Sequence, residues 1–261
     1  MIALTYIPRP PLSDFVEMFW LYEGYSQPHA RERLLPTGTI ELVIDLREDA
    51  GSTEHAVVCG AHSEFFVLDT SRQAAVLGVH FRPGGAFPFL NLPAGELHNQ
   101  HVTLDTLWGR KAGQLRERVL EARTPAARFR ILEESLLALA NGCLERHPAV
   151  GFALKQFQVV PGGRSIADVT DEIGLSPRRF SQVFEEEVGL TPKLYCRVRR
   201  FQQVLRVIHQ GQPFEWANLA LACGYYDQAH FIHDFRAFSG ISPTAYLRDK
   251  TEHLNHVPLV D

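Results

Sequence analysis

Apolar positions along this chain change their spacing near residue 104. Before that point they alternate. Ile40, Leu42, Ile44 and Leu46 interleave with Thr39, Glu41, Val43 and Asp45, a period of two that predicts a half-buried strand. Residues 64–68 and 75–81 predict further strands, bounded by Gly and polar turns, and Pro83-Gly84-Gly85 closes the last. Pro8, Pro10 and Pro11 open the chain in an extended form. The aromatic-rich stretch from Leu12 to Tyr22 (Phe15, Phe19, Trp20) predicts a helix running into a strand, and Leu35-Pro36-Thr37-Gly38 a turn. Residues 1–110 therefore predict a small β-rich domain.

From Leu104 the spacing turns helical. Leu104, Leu107, Lys111, Leu115, Val119 and Leu120 predict one helix. Pro125 restarts the chain, and Phe129, Leu132, Leu136, Leu137 and Leu139 predict a second, interrupted by Gly142 and Pro148. This helical connector, residues 111–157, suits a dimer interface or a buttress of the β-domain equally well. Residues 158–164, with Pro161-Gly162-Gly163, read as a linker.

Residues 158–250 carry one pattern twice. Phe180, Phe184, Gly189, Thr191, Pro192 and Tyr195 recur as Phe231, Phe235, Gly240, Ser242, Pro243 and Tyr246, a constant spacing of 51 (180 to 231, 195 to 246). Upstream, Ala167 pairs with Ala217 and Gly174 with Gly224, a spacing of 50, so the second turn holds one extra residue. A repeat that keeps register through helix, Gly turn and helix is a duplicated supersecondary unit, here a helix-turn-helix.

Within the first unit Ile166, Val169 and Ile173 form an apolar stripe. Gly174 ends the helix, Ser176 caps the next, Pro177 fits its first position, and Leu175 with Phe180 makes a hydrophobic staple. Asp227 is the corresponding cap in the second unit, and Tyr226 with Phe231 the expected staple. At 100° per residue Phe180, Val183 and Phe184 point inward, leaving Arg178, Ser181, Gln182 and Glu185 outside. That stripe has the chemistry of base-edge readout, since Arg can bind guanine and Gln adenine. Any helix leaves polar residues outside, so position alone fits a solvated face equally well. The second stripe, Gln228, Ala229, Ile232, His233 and Arg236, is less polar; Ala229 and Ile232 suit a thymine methyl. Between the units, Leu194, Val198, Phe201, Leu205 and Ile208 predict a buried helix bearing Lys193, Arg197, Arg199, Arg200 and Arg206 without an acid.

Composition tempers this picture. The chain of 261 residues is 45% apolar and 21% charged with a net charge of −4, and residues 161–250 hold 11 cations against 10 acids. The usual basic footprint of a nucleic-acid binder is absent on average. Phosphate contact must come from placed groups: Arg179, Thr191, Lys193, Arg197, Arg200, Arg236 and Ser242.

These residues resemble the AraC/XylS family of bacterial transcription regulators. The stretch from Leu219 to Phe231 (Leu-Ala-Leu-Ala-Cys-Gly-Tyr-Tyr-Asp-Gln-Ala-His-Phe) resembles its second helix-turn-helix, and Gly240-Ile241-Ser242-Pro243-Thr244-Ala245-Tyr246 its closing motif. The resemblance spans roughly residues 165–248. It implies a seven-helix DNA-binding domain that regulates transcription through RNA polymerase, activating or repressing. It also implies groove contacts at Arg178, Ser181, Gln182, Gln228, Ala229 and His233. His233 stands where many relatives carry Arg, which replaces a fixed charge with a titratable one. Leu34-Leu35-Pro36-Thr37-Gly38 and Phe81-Arg82-Pro83-Gly84-Gly85 resemble the N-terminal regions of AraC-type regulators, commonly cupin-like β-barrels that sense a small-molecule effector. The expected fold class is α+β: an N-terminal β-rich, cupin-like domain with a helical pair, an all-α tandem helix-turn-helix domain, and a tail at 251–261.

Partners expected are double-stranded DNA, RNA polymerase, a small-molecule effector and a second copy of the chain; no cofactor is expected. Glu41, His80 and Arg82 are the candidate effector ligands, with Arg82 before Gly84-Gly85 as an anion clamp, although a Gly-Gly turn after a strand is more often just a turn. His98 and His101 lack a third metal ligand by spacing. No nucleophile elbow, P-loop or dinucleotide fingerprint occurs, so an enzyme is not expected. The alternatives are a co-regulator whose helical units contact only protein, and a cupin-type metalloenzyme fused to a DNA-binding domain. The scattered Cys59, Cys143, Cys196 and Cys223, a start without a basic n-region, and the lack of any membrane-length apolar run together predict a cytoplasmic protein.

Overall fold

A computed structural model describes residues 2–24, 26–47, 55–70, 74–140, 144–159 and 164–259. Cys143 and the Pro161-Gly162-Gly163 linker motif lie outside them. The N-terminal half is a six-stranded antiparallel sheet in the order β1-β2-β7-β4-β5-β8, formed by β1 (Ile2–Tyr6), β2 (Val16–Glu23), β4 (Glu41–Asp45), β5 (Ala56–Cys59), β7 (Ala75–Phe81) and β8 (His101–Thr103). Strand β4 shows the expected alternation, with Leu42 and Ile44 buried. Strand β7 is central, and Leu77 and Val79 are fully buried. The expected helix after Leu12 is only a 3-10 turn, Leu12–Asp14; the aromatics beyond it belong to β2, where bulky rings pack well on a pleated face.

Three helices follow: α1 (Leu104–Trp108), α2 (Arg110–Glu121) and α3 (Pro125–Ala140). The single helix expected over α1 and α2 is broken at Gly109, whose φ of +54° a helix cannot hold. The apolar side of α3 faces the sheet. Phe129 stacks on Tyr6 with ring centres 5.5 Å apart, and Arg128 pairs with Glu23. The connector therefore buttresses the β-domain.

The C-terminal half is helical: α4 (Pro148–Val159), α5 (Ile166–Ile173), α6 (Pro177–Val188), α7 (Pro192–His209), α8 (Trp216–Ala222), α9 (Gln228–Ser239) and α10 (Pro243–Asp249). Ser165, Ser176, Thr191, Asp227 and Ser242 each cap a helix, accepting a backbone N–H with the side chain; each such cap stabilises by about 1 kcal/mol.

Residues 251–259 of the expected tail pack into the fold. Strand β9 (His256–Pro258) pairs with β3 (Arg31–Leu34), which pairs with β6 (Phe66–Asp69), making a second sheet in the order β6-β3-β9. Glu32 on β3 is fully buried, and its carboxylate receives His256 at 2.7 Å and His29 at 3.3 Å. On α7, the buried Gln202 amide donates to the Pro36 carbonyl and to Asn255, both at 2.8 Å. One apolar core runs continuously from the sheet into the helices.

Candidate nucleic-acid interface

Both duplicated units form as helix-turn-helix pairs, α5 with α6 and α8 with α9. Gly174 and Gly224 take φ of +74° and +80° in their turns, a conformation open to glycine at little cost. Val169 is fully buried on α5, and Phe180, Val183 and Phe184 on α6 are at most 3% exposed. The equivalent α9 residues Phe231 and Phe235 are fully buried. One expected contact differs. Tyr226 is 86% exposed, and Tyr225 instead packs on Phe231 at 5.4 Å. The extra residue in the second turn advances the chain by one position and swaps the inward tyrosine.

The outward stripes sit as the helical period requires. On α6, Arg178, Arg179 and Gln182 are exposed and Ser181 is half-buried; Gln182 donates to Glu186 at 3.0 Å. Glu185, at the far end of the stripe, is covered by the 3-10 turn Ala94–Leu97 of the β-domain. The open surface of α6 is thus its N-terminal half. On α9, Gln228, Ala229, His233 and Arg236 are exposed and Ile232 is half-buried.

Helix α7 joins the units. Its 18 residues span about 27 Å at 1.5 Å each. Tyr195, Val198, Phe201 and Leu205 are fully buried, while Lys193 is exposed. Arg197 and Arg200 are committed within the fold. Arg197 pairs with Asp234 of α9 at 2.6 Å and lies over the Phe238 ring. Arg200 donates to the Gly224 carbonyl at 3.0 Å and lies over Tyr225. The guanidinium–carboxylate hydrogen bond holds the Arg197 pKa above its ordinary value. The hydroxyls of Thr191 and Ser242 accept from Leu194 and Ala245 as caps. Arg164, Lys193, Arg197, Arg199 and Arg200 line a cleft of about 680 Å³ whose far wall includes His230 and His233. Arg164, just before α5, was not legible from spacing, because only the fold brings it to the same cleft as the α7 cations.

The β-domain touches both units at matching positions. Gly189 ends α6 and Gly240 ends α9, with φ of +86° and +70°. A Cβ at Gly189 would lie 3.1 Å from Ala61, and one at Gly240 would run into the Phe65 ring. The segment from Ala61 to Phe65 therefore braces the equivalent ends of both outward-facing helices.

Glu41, His80 and Arg82 come together at the end of β4 and β7. His80 hydrogen-bonds Glu41 and lies 3.6 Å from Glu17; Arg82 donates to the Ser13 carbonyl at 2.8 Å. Burial by itself would lower the His80 pKa, but the Glu41 carboxylate outweighs it and holds the imidazole above its ordinary value. His98 and His101 do not converge: His98 bonds Ser63 at 2.8 Å, while His101 faces His62 and Phe66. Among the described residues no cluster of His, Cys, Asp or Glu is arranged to hold a metal ion, and no helix is long and apolar enough to cross a membrane.

Comparison with known proteins finds matches in both halves of the chain. A family described as Helix-turn-helix domain matches residues 169–249, and one described as Domain of unknown function (DUF6597) matches residues 4–103. HTH-type transcriptional regulator GadX of Escherichia coli (strain K12) is 30% identical over 94 residues, covering 35% of this chain and 33% of that protein. Probable transcriptional regulator LumQ of Photobacterium leiognathi is 29% identical over 82 residues, covering 31% and 33%. The matches thus span about a third of the length of these relatives. Among solved structures, ToxT from Vibrio cholerae is similar with a TM-score of 0.43 at 12% identity, over 88% of this chain and 93% of that one.

Proposed function

On the premise that residues 169–249 are a helix-turn-helix domain of the AraC type, we propose that the protein is a sequence-specific transcriptional regulator that reads adjacent major grooves of one duplex. The observation that carries this reading is that α6 and α9 each leave an outward N-terminal half open, while the start of the first unit, α7 and α9 together enclose a cleft lined by cations. Helix α6 supplies the base-reading groups Arg178, Ser181 and Gln182. Helix α9 supplies Gln228, Ala229, Ile232 and His233. Phosphate affinity comes from the exposed Arg179, Lys193 and Arg236. Arg197 and Arg200 act beside them by setting the angle between α7 and α9, with Thr191 and Ser242 at the helix N-termini.

The same reading extends to partners and place of action. The regulator works in the cytoplasm, recruits or blocks RNA polymerase, acts as a homodimer, and is tuned by a small-molecule effector held near Glu41, His80 and Arg82. Binding to genomic duplex fragments, followed by fluorescence anisotropy, tests the central point. The expected logarithmic affinity falls with logarithmic salt with a slope of about −3, as for three to four phosphate contacts at about −0.9 each. Absent or salt-independent binding replaces this reading with one in which the paired helices contact only protein.

A further inference from the structure

A second cleft, of about 900 Å³, opens where the β-domain meets α4 and α7. That volume lies in the range of small-molecule sites, about 300–1,000 Å³. Arg82 follows the end of β7, Arg146 lies just before α4 and Lys155 within it, and Arg199 and Arg206 come from α7. Asp14 and Glu17 are the acids of its lining. Elsewhere arginines find carboxylates: Arg47 with Asp45, Arg118 with Glu134, Arg128 with Glu23, Arg164 with Glu172 and Arg197 with Asp234. Among the described residues none of the five cleft cations has a carboxylate within the 4.0 Å of an ion pair.

Like charges so gathered oppose one another. Burial holds the Arg146 pKa below its ordinary value against the pull of Glu187 and Asp14, with Arg82 adding a smaller push; burial and then Arg199 do the same at Arg206 against Glu17. In a chain of net charge −4, five cations against two acids around one recess leave a local positive excess that favours an anion; Arg82 and Arg146 are held in its wall by the Ser13 and Pro83 carbonyls. The surrounding wall is suited to a compact polar guest. Thr37, Thr39, His80 and Asn255 present hydroxyl, imidazole and amide groups to the cleft, and Thr37, Thr39 and His80 are linked by hydrogen bonds at 2.7 and 3.4 Å.

We propose that this junction cleft binds a compact polyanionic metabolite, a phosphate ester or a polycarboxylate, gripped by Arg82, Arg146, Arg199 and Arg206. The proposal rests on the regulator reading for its consequence, because Arg199 lines both this cleft and the one between the two helix-turn-helix units. An anion here draws Arg199 toward the β-domain and away from the inter-unit cleft. It also ties α7 to the β-domain one turn from the existing Gln202 anchor. Occupancy then changes the charge and freedom of the strut that spaces the two reading helices.

Isothermal titration of the full chain without DNA tests the site, with inorganic phosphate and citrate as separate probes. At least one probe is expected to bind saturably; preference for phosphate assigns a phosphorylated ligand, and preference for citrate a polycarboxylate. Arg206→Gln, an exposed position that leaves folding intact, and Arg146→Gln are each expected to weaken binding roughly tenfold or more, the loss of a hydrogen bond to a charged group. Arg118→Gln, remote from the cleft, leaves it unchanged. Saturable binding by neither probe, or equal affinity in both cleft variants and the wild type, overturns the proposal. Because no DNA is present, loss of anion binding with intact duplex binding sinks the site alone, and the converse sinks the regulator reading alone.

Discussion

The two helix-turn-helix units share a plan and differ in how they are secured. Each outward-facing helix buries one carboxylate, at positions that do not correspond. Asp234 on α9 falls where α6 has Val183, and Glu187 on α6 falls where α9 has Phe238. Asp234 is 3% exposed and receives Arg197 from α7 in a close ion pair. Glu187 is 6% exposed, accepts the backbone N–H of His147 at 2.7 Å, and has no hydrogen-bond partner on its other oxygen among the described residues. Burial raises the Glu187 pKa against the pull of that N–H and of Arg146. The second unit is thus pinned to the strut by charge. The first has no ion pair of this kind among the described residues: its buried Glu187 takes only a backbone N–H, and Glu185 lies under Gly95 of the β-domain. The difference matches the outward stripes: the first carries readout chemistry, while the second carries Ala229, Ile232 and His233 and suits positioning.

The largest expected break in this contrast comes from Arg197→Ala. It leaves Asp234 buried without its main partner and is expected to cost about 3 kcal/mol, the lower end for a buried pair because Arg197 is partly exposed. Urea unfolding checks the magnitude, and hydrogen exchange should show opening concentrated in α8 and α9. Equal loosening of α5 and α6 would contradict the assignment of this pair to one unit. Next in size is the readout asymmetry. Arg178→Ala should weaken operator binding by about 2 kcal/mol and relax the preference at one base pair. His233→Ala should cost under about 1 kcal/mol, in keeping with a contact that positions rather than reads. Selection of bound sequences from a random pool decides between them; an unchanged preference in the Arg178 variant removes α6 from base reading.

The smallest effect concerns Glu187. A carboxyl whose folded pKa lies above its unfolded value contributes most below about pH 4.5, and that contribution is lost as pH rises through the folded pKa. Glu187→Gln should flatten this fall, gaining about 1 kcal/mol or less at neutral pH. Unfolding midpoints from pH 4 to 7 check it, and parallel profiles for variant and wild type would show that the buried carboxylate carries no such penalty.

Much of this arrangement was legible in the chain before any coordinates. The 51-residue repeat located both units, the Gly and Ser/Asp positions marked their turns and caps, and the helical period separated Phe180 and Phe184 from Arg178 and Gln182. Such signals are local: a cap acts within three residues, and a stripe repeats within one helix. The alternation of β4 was equally plain. Short β5, β8 and β9 were not, since three or four residues hold too little pattern and acquire their identity from a neighbouring strand.

The sequence by itself determined the helical reading frame, hence which side chains of α6 and α9 point outward, because backbone geometry ties face to spacing. Only the tertiary structure decided which exposed-seeming cations remain free. Arg197 and Arg200 share a helix with Lys193, yet Asp234, Phe238 and Tyr225 claim them from elsewhere in the chain. It likewise decided that a distant tail completes a sheet at β3, and that five cations from three regions meet in one cleft. Charge interacts through space at a few ångströms, and spacing along the chain does not record which groups folding will bring that close.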